Sequence, residues 1–118
     1  MLHVVILDDN VPIRELLAEW LSGEGHFVHE PPPLPMALRS EIDLVLLDLP
    51  SLREGARATI SGARDRFAKA QLVGLSTQLG ESLPQRSAVA RSLGLEALLA
   101  KPCEQAELLG LIRELEAR

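Results

Sequence analysis

Short apolar runs alternate with amphipathic segments along the whole sequence, and this alternation constrains the fold more than any other feature. The runs are short and contain few polar residues, which is typical of strands that are covered on both faces of a parallel sheet. We therefore predict an α/β domain in which strand and helix alternate five times. The predicted strands are residues 3–7, 26–29, 43–47, 71–75 and 97–100.

Apolar side chains repeat at helical spacing after most of the predicted strands. The first stripe is Ile13, Leu16, Leu17, Trp20 and Leu21, the third-helix stripe is Ala56, Ile60, Ala63 and Phe67, and the last stripe is Leu108, Leu111, Ile112 and Leu115. A fourth helix is predicted over about 84–93, before Gly94. Four prolines between 31 and 35 leave only 36–41 for the second helix.

Length and composition exclude several classes of protein. The 118 residues fit one domain, which we place at 1–118. The 17 acidic residues outnumber the 12 basic ones, which argues against direct nucleic-acid binding. Cys103 is the single cysteine, so no internal disulfide can form, as expected in a reducing compartment. No apolar run is long enough to span a membrane and no signal peptide is visible, so we predict a cytoplasmic protein.

Charged side chains stand where three of the apolar runs stop. Asp8 and Asp9 follow the first predicted strand, Asp48 follows the third, and Lys101 follows the fifth. The carboxyl ends of parallel strands meet at one edge of a sheet, so these side chains should converge. Clustered carboxylates repel one another, and a hard cation such as Mg²⁺ relieves that repulsion. Because a lysine beside them could neutralise a phosphoryl group, the pattern indicates metal-assisted chemistry on phosphate.

The sequence resembles the receiver domain of bacterial two-component response regulators over nearly its whole length. The matching segments are VILDDN, DLVLLD, VGLST and LLAKP, each at the end of a predicted strand. No single segment is specific, but their order on an α/β alternation of this length is a strong combined signal. The resemblance implies the flavodoxin-like fold, a five-stranded parallel sheet with strand order 2-1-3-4-5 and helices on both faces.

The resemblance also implies roles for individual residues. Asp48 would accept a phosphoryl group from the phosphohistidine of a sensor histidine kinase or a phosphotransfer protein. Asp9 and Asp48 would coordinate Mg²⁺, and Asp8 would hold a metal-bound water or assist directly. Ser76 would donate a hydrogen bond to a phosphoryl oxygen, and Lys101 would pair with the phosphoryl group. Phosphoryl transfer needs positioning and charge neutralisation above all, and these residues supply both.

Two positions depart from the usual receiver pattern. Receivers usually carry a proline four residues after the acceptor, whereas here Pro50 comes two after Asp48. At that position Pro50 can offer its carbonyl to the metal but has no N–H for the phosphoryl group. A Tyr or Phe usually stands three residues before the lysine, and here Leu98 takes that place. The switch residues would therefore be Ser76, Thr77 and Leu98, without an aromatic side chain.

These departures leave a second function open. The stretch of sequence between Asp48 and Ser76 is shorter than in usual receivers. Together with Pro50 and Leu98, this favours a pseudo-receiver, which is an interaction module that signals without phosphate. In both interpretations a homodimer could form through the face of helix 4, strand 5 and helix 5, and no independent substrate would be turned over. A haloacid-dehalogenase-like phosphatase is disfavoured, because its nucleophilic aspartate is followed two residues later by another, where this chain has Pro50.

The remaining reactive side chains have plainer interpretations. His3, His26 and His29 lack metal-ligand partners at useful spacing in the sequence, so we interpret them as structural or exposed. Cys103 is interpreted as a small packed residue rather than a redox sensor.

Overall fold

The apolar runs form the strands of one parallel sheet in the computed structural model, which describes residues 1–29, 34–79 and 87–117. The strands are β1 (His3–Leu7), β2 (Phe27–His29), β3 (Leu44–Asp48), β4 (Gln71–Ser76) and β5 (Ala97–Ala100). The helices are α1 (Val11–Gly23), α2 (Met36–Arg39), α3 (Ala56–Arg66), α4 (Ala88–Leu93) and α5 (Gln105–Glu116). The strand order is β2-β1-β3-β4-β5, which confirms the predicted topology.

Apolar cores cover both faces of the sheet, which explains why its strands are apolar throughout. On one face, α1 and α5 pack against strand side chains such as Ile6 and Leu46. On the other face, α3 and α4 pack against side chains such as Val5 and Val45. The predicted apolar stripes of α3 and α5 are buried at every position.

The first helix shows why its predicted apolar stripe is only partly correct. The N-cap is Asn10, whose Oδ1 accepts a hydrogen bond from the Ile13 N–H at 3.1 Å. The helix buries Leu17 and Leu21 against the sheet. The prediction is wrong for Leu16, which is 44% exposed. Leu16 lies about 100° around the helix from Leu17, and that rotation turns it toward solvent.

Several boundaries differ from the predictions by one or a few residues. Both β3 and β4 run one residue further than predicted, so their last residues are the polar Asp48 and Ser76. The second helix is shorter still than the prolines suggested, and it ends after Arg39. The predicted start of α4 at 84 lies outside the described residues, and the helix is capped by Ser87. None of the helices in the described ranges is long and apolar enough to cross a membrane.

Candidate functional site

Four of the predicted site residues meet at the carboxyl edge of the sheet. Asp8 follows β1, Asp48 ends β3 and Ser76 ends β4. Lys101 follows β5, and its backbone N–H donates to the carbonyl of Ser76 at 2.9 Å. The strands pair up to their last residues, so the strand ends are level and their side chains share one edge.

Lys101 joins the two carboxylates at this edge. Its Nζ donates to Asp8 Oδ2 at 2.7 Å and to Asp48 Oδ1 at 3.0 Å. The side chains are 8% exposed for Lys101, 1% for Asp8 and 24% for Asp48, so both ion pairs are largely removed from water. The ammonium group therefore offsets the repulsion between the carboxylates that the sequence predicts.

The ion pairs also keep the Lys101 side chain protonated. Burial by itself lowers the pKa of the Lys101 ammonium, because it disfavours the charged form. The hydrogen bonds and negative charges of Asp8 and Asp48 outweigh burial, and the net pKa of Lys101 is raised. A permanently charged ammonium beside a carboxylate is suited to receive an anionic group.

Asp8 is fixed by three neighbours, which makes it the most constrained acid of the site. Besides the contact with Lys101, its Oδ1 accepts the backbone N–H of Asn10 at 2.9 Å. The guanidinium of Arg14 donates to the Asp8 carbonyl at 3.0 Å. Both carboxylate oxygens of Asp8 are thus engaged, so this acid positions the lysine and the start of α1.

An open cleft of about 450 Å³ adjoins the ion pairs. It is lined by all four residues predicted around the metal, which are Asp8, Asp9, Asp48 and Pro50. Asp9 and Pro50 are exposed, whereas Asp8 is buried. Two guanidinium groups and a hydroxyl line the same cleft, and they belong to Arg14, Arg66 and Thr59. The cleft is therefore large enough for a small phosphorylated group and its surroundings carry charges of both signs.

The oxygen donors around the cleft suit Mg²⁺ only if the ion keeps part of its hydration shell. Carboxylate and carbonyl oxygens are the ligands that Mg²⁺ prefers, and it usually keeps several waters beside one or two carboxylates. In the ranges that the structure describes, no three His, Cys, Asp or Glu side chains are arranged to hold a metal ion. Since Lys101 engages Asp8 and one oxygen of Asp48, the site suits a partly hydrated Mg²⁺ held by Asp9 and Asp48.

The two predicted hydroxyls lie in different surroundings. Ser76 is fully buried, and its Oγ accepts the backbone N–H of Gln78 at 3.1 Å. A hydroxyl that accepts one hydrogen bond still has its own proton to donate. Thr77 is exposed. Ser76 is therefore the hydroxyl that stands at the edge shared with Asp48 and Lys101.

Leu98 lies in the core rather than at the surface. It is fully buried in the apolar cluster that α3 and α4 cover. Its partner in the neighbouring strand is Gly74, and these two residues pair in register. The predicted switch position is thus occupied by a packed aliphatic side chain.

Arg14 and Gln78 are site residues that sequence reasoning missed. A basic residue in the first turns of a helix that begins at an acidic pair was the available signal for Arg14. Gln78 joins two loops at the site edge, because its Oε1 accepts the backbone N–H of Leu52 at 2.8 Å. Nothing in the sequence marks Gln78, since it stands in a polar loop like its neighbours.

Comparison with known proteins gives matches of structure. No protein-family model matches the sequence, and no curated protein does. A response regulator protein from Burkholderia multivorans is 25% identical, with a TM-score of 0.65 and coverage of 98% of this chain and 96% of that chain. A response regulator from Thermotoga maritima is 19% identical, with a TM-score of 0.73 and coverage of 100% and 99%.

A third match comes from the complex of CheX and CheY with BeF₃ and Mg²⁺ from Borrelia burgdorferi. The identity is 18%, the TM-score is 0.74, and the match covers 99% of this chain and 90% of that chain. The likeness therefore extends over the whole domain at low sequence identity.

Proposed function

We propose that this chain, which has the fold of a response regulator receiver domain, accepts a phosphoryl group on Asp48 in a two-component phosphorelay. The contact of one buried ammonium with both Asp8 and Asp48 carries the proposal. A lysine held between two acids at the strand edge stabilises both charges, and the same ammonium can neutralise a phosphoryl group added to one of the acids.

The residues act on the phosphoryl group in distinct ways. One oxygen of Asp48 forms a bond to phosphorus as the bond from phosphorus to the donor nitrogen breaks, and the electron pair of that bond stays with the donor. As negative charge moves from the Asp48 carboxylate to the phosphoryl oxygens, the Lys101 ammonium moves its contact to those oxygens. The ion pair with Asp8 holds the ammonium at the edge of the sheet meanwhile. The Ser76 hydroxyl donates a hydrogen bond to a phosphoryl oxygen. Mg²⁺ held by Asp9 and Asp48 would supply further charge neutralisation.

The donor partner in this proposal is a phosphohistidine of a sensor kinase or a phosphotransfer protein in the cytoplasm. The chain itself turns over no independent substrate and binds no nucleic acid directly, in keeping with its net charge of −5. The cleft beside Asp48 has room for the imidazole that delivers the group.

Intact-mass spectrometry after incubation with acetyl phosphate and Mg²⁺ tests the proposal. We expect one added phosphoryl group on the wild-type chain, none on Asp48→Asn, and strongly reduced labelling of Lys101→Ala. Asp65→Asn is the matched control, because Asp65 is an exposed aspartate on α3, and its labelling should equal that of the wild type. Absence of the adduct from wild-type protein at high donor and Mg²⁺ concentration would contradict the proposal.

A pseudo-receiver is the second candidate, and two observations favour it. Pro50 lines the cleft without a backbone N–H to offer, and Leu98 is packed in the core where receivers usually have an aromatic switch. In that case the chain would bind its partner through the face of α4, β5 and α5 regardless of phosphate. The same mass measurement separates the two functions, since a pseudo-receiver gives no adduct.

A further inference from the structure

Two histidines that are far apart in the sequence meet on β1 and β2. His3 Nδ1 lies 2.9 Å from His29 Nε2. The ring centroids are 5.2 Å apart with an angle of 32° between the ring planes. Stacked rings would bring their centroids closer than this while keeping the nitrogens apart, so the two imidazoles meet edge to edge, nitrogen toward nitrogen. His3 and His29 therefore make a structural contact with each other, which their spacing in the sequence does not reveal.

The strand register explains the contact. His3 pairs with Phe27 and Val5 pairs with His29, so His3 and His29 are diagonal neighbours on the same face of the sheet. The ring of Phe27 lies beside both, with centroids 5.6 Å from His3 and 4.6 Å from His29. Backbone hydrogen bonds between the two strands and this aromatic neighbour hold the imidazoles in place.

The distance between the two nitrogens is close to that of a metal-bound pair. Zinc–nitrogen bonds of about 2.0–2.1 Å at a tetrahedral angle place two ligand nitrogens about 3.3 Å apart. The observed 2.9 Å is shorter by a few tenths of an ångström. Turning both rings so that these nitrogens face a shared ion instead of each other would replace the direct hydrogen bond by a bridging metal ion.

We propose that His3 and His29 form a binding site for a transition-metal ion of the zinc type, which imidazole ligands suit. The described residues contain no third His, Cys, Asp or Glu arranged to complete such a site, so water fills the other positions. The Asp43 carboxylate places negative charge beside the pair, because its Oδ2 accepts the backbone N–H of His3 at 2.8 Å.

The proposed site is separate from the phosphoacceptor. His3 begins β1 and Asp8 follows its end, and five residues of a strand span about 16 Å. The ligands also differ in kind, since nitrogen donors suit zinc and oxygen donors suit Mg²⁺. A zinc-type ion here would fasten the edge strand β2 to β1 and leave the acceptor edge unchanged.

Calorimetric titration with Zn²⁺, in a buffer that contains millimolar Mg²⁺ to fill the oxygen site, tests the proposal. We expect one Zn²⁺ per chain, and His3→Gln and His29→Gln should each weaken binding by about tenfold or more. His26→Gln is the matched control: the His26 Nδ1 is occupied by the backbone N–H of Leu2 at 3.0 Å, so this variant should bind Zn²⁺ like the wild type. Cys103→Ser should also bind normally.

A second measurement covers the case in which a histidine variant fails to fold. In the wild-type protein, the ring resonances of His3 and His29 should shift on addition of Zn²⁺ while those of His26 stay in place. Zn²⁺ binding that is lost in Cys103→Ser, or a titration that leaves the His3 and His29 resonances unmoved, would overturn the site. Loss of phosphorylation in any of these variants is not expected, so the result is independent of the proposed function.

Discussion

Leu98 packs so closely over Gly74 that a Cβ added to the glycine would lie 2.7 Å from the leucine Cδ2. The Cδ1 atoms of Leu49 and Leu95 would each lie 3.0 Å from that Cβ. Leu98 is fully buried, so its side chain has no solvent to move into. Gly74 thus makes the space that Leu98 fills, and the residue at the usual switch position is part of the core.

The first prediction is that Gly74 and Leu98 are energetically coupled. Gly74→Ala should cost about 1–3 kcal/mol by overpacking. Leu98→Ala should cost about 2–5 kcal/mol because it leaves a cavity. The double variant should cost less than the two together, since the added methyl group enters the space that the leucine leaves. Urea denaturation of the four proteins measures this coupling.

The control for this double-mutant cycle of Gly74 and Leu98 is Gly62→Ala. Gly62 stands within α3, and apart from the neighbouring backbone of that helix no atom of the described residues lies within 4 Å of a Cβ added there. Alanine is favoured over glycine in a helix by about 1 kcal/mol, so this variant should be at least as stable as the wild type. Strictly additive costs for Gly74→Ala and Leu98→Ala would show that the two side chains do not share the space.

The second prediction concerns how far a phosphoryl group can alter binding at the face of α4, β5 and α5. A ligand needs about 5.5 kcal/mol of differential affinity to carry a two-state equilibrium from 1:99 to 99:1. A buried leucine changes few hydrogen bonds when it moves, so Leu98 can bias two states only weakly. We expect the face of α4, β5 and α5 to be largely preset, and self-association to change little when beryllofluoride and Mg²⁺ are added.

Analytical ultracentrifugation with and without beryllofluoride measures this dependence. Asp48→Asn is the control that lacks the carboxylate of the proposed acceptor. A change from monomer to tight dimer on addition of the mimic, seen in the wild type and not in the control, would show a working switch and contradict the prediction.

The third prediction concerns the buried ion pairs. Lys101→Ala leaves Asp8 with an uncompensated buried charge, which costs about 3–5 kcal/mol when a buried pair loses one partner. Asp48 is partly exposed, so most of the loss should come from Asp8. Adding Asp8→Asn to Lys101→Ala should restore part of the stability. The measurement is the free energy of unfolding in urea.

Lys69→Ala is the matched control for the lysine. Lys69 is the other lysine of the chain and is exposed, so its removal should change stability little. Equal losses for Lys69→Ala and Lys101→Ala would argue against a stabilising role of the ion pairs.

The fourth prediction concerns Pro50. Pro50→Ala supplies a backbone N–H in the cleft that the proposed acceptor Asp48 also lines, and hydrogen bonds to charged groups contribute about 1.5–3 kcal/mol. That range corresponds to about a ten- to hundredfold gain in the ratio of phosphorylated to free Asp48. Intact-mass spectra at a fixed acetyl phosphate concentration report the ratio. Pro35→Ala, at the exposed start of α2, should leave it unchanged.

The fifth prediction concerns Cys103. Burial raises the pKa of its thiol above 9.0, and the negative charge of Glu107 raises it further. The folded protein then holds the thiol proton more tightly than the unfolded chain, so the thiol contributes stability that is lost as pH rises through the folded pKa. Because the thiolate is the reactive form, alkylation by iodoacetamide should be slow near neutral pH and still be rising above pH 9.0.

The unfolded chain in urea is the control for this measurement, and its alkylation should level off at a lower pH. Glu107→Gln should move the profile of the folded protein toward that of the unfolded chain. Identical profiles in the folded and unfolded states would show that the surroundings of Cys103 do not protect it.

Features that depend on strand ends could be predicted from the sequence, and features that depend on register could not. The convergence of Asp48 and Lys101 follows from topology, because all parallel strands end at one edge. The contact of His3 with His29 spans 26 residues and depends on how β1 and β2 are aligned, which neither strand encodes by itself. The prediction that Leu16 belongs to the buried stripe of α1 was wrong, because its apolar neighbour Leu17 made the stripe appear wider than the face that is buried.

The unequal pairing of the strands decides which parts of the sheet open first. β2 stands at one end of the sheet and pairs with β1 at three positions, whereas β3 lies between β1 and β4. Backbone amides of such an end strand exchange with solvent through small local openings, while amides of a central strand exchange only when the domain unfolds. Asp48 belongs to β3, so this proposed acceptor should keep its geometry through openings that release only β2.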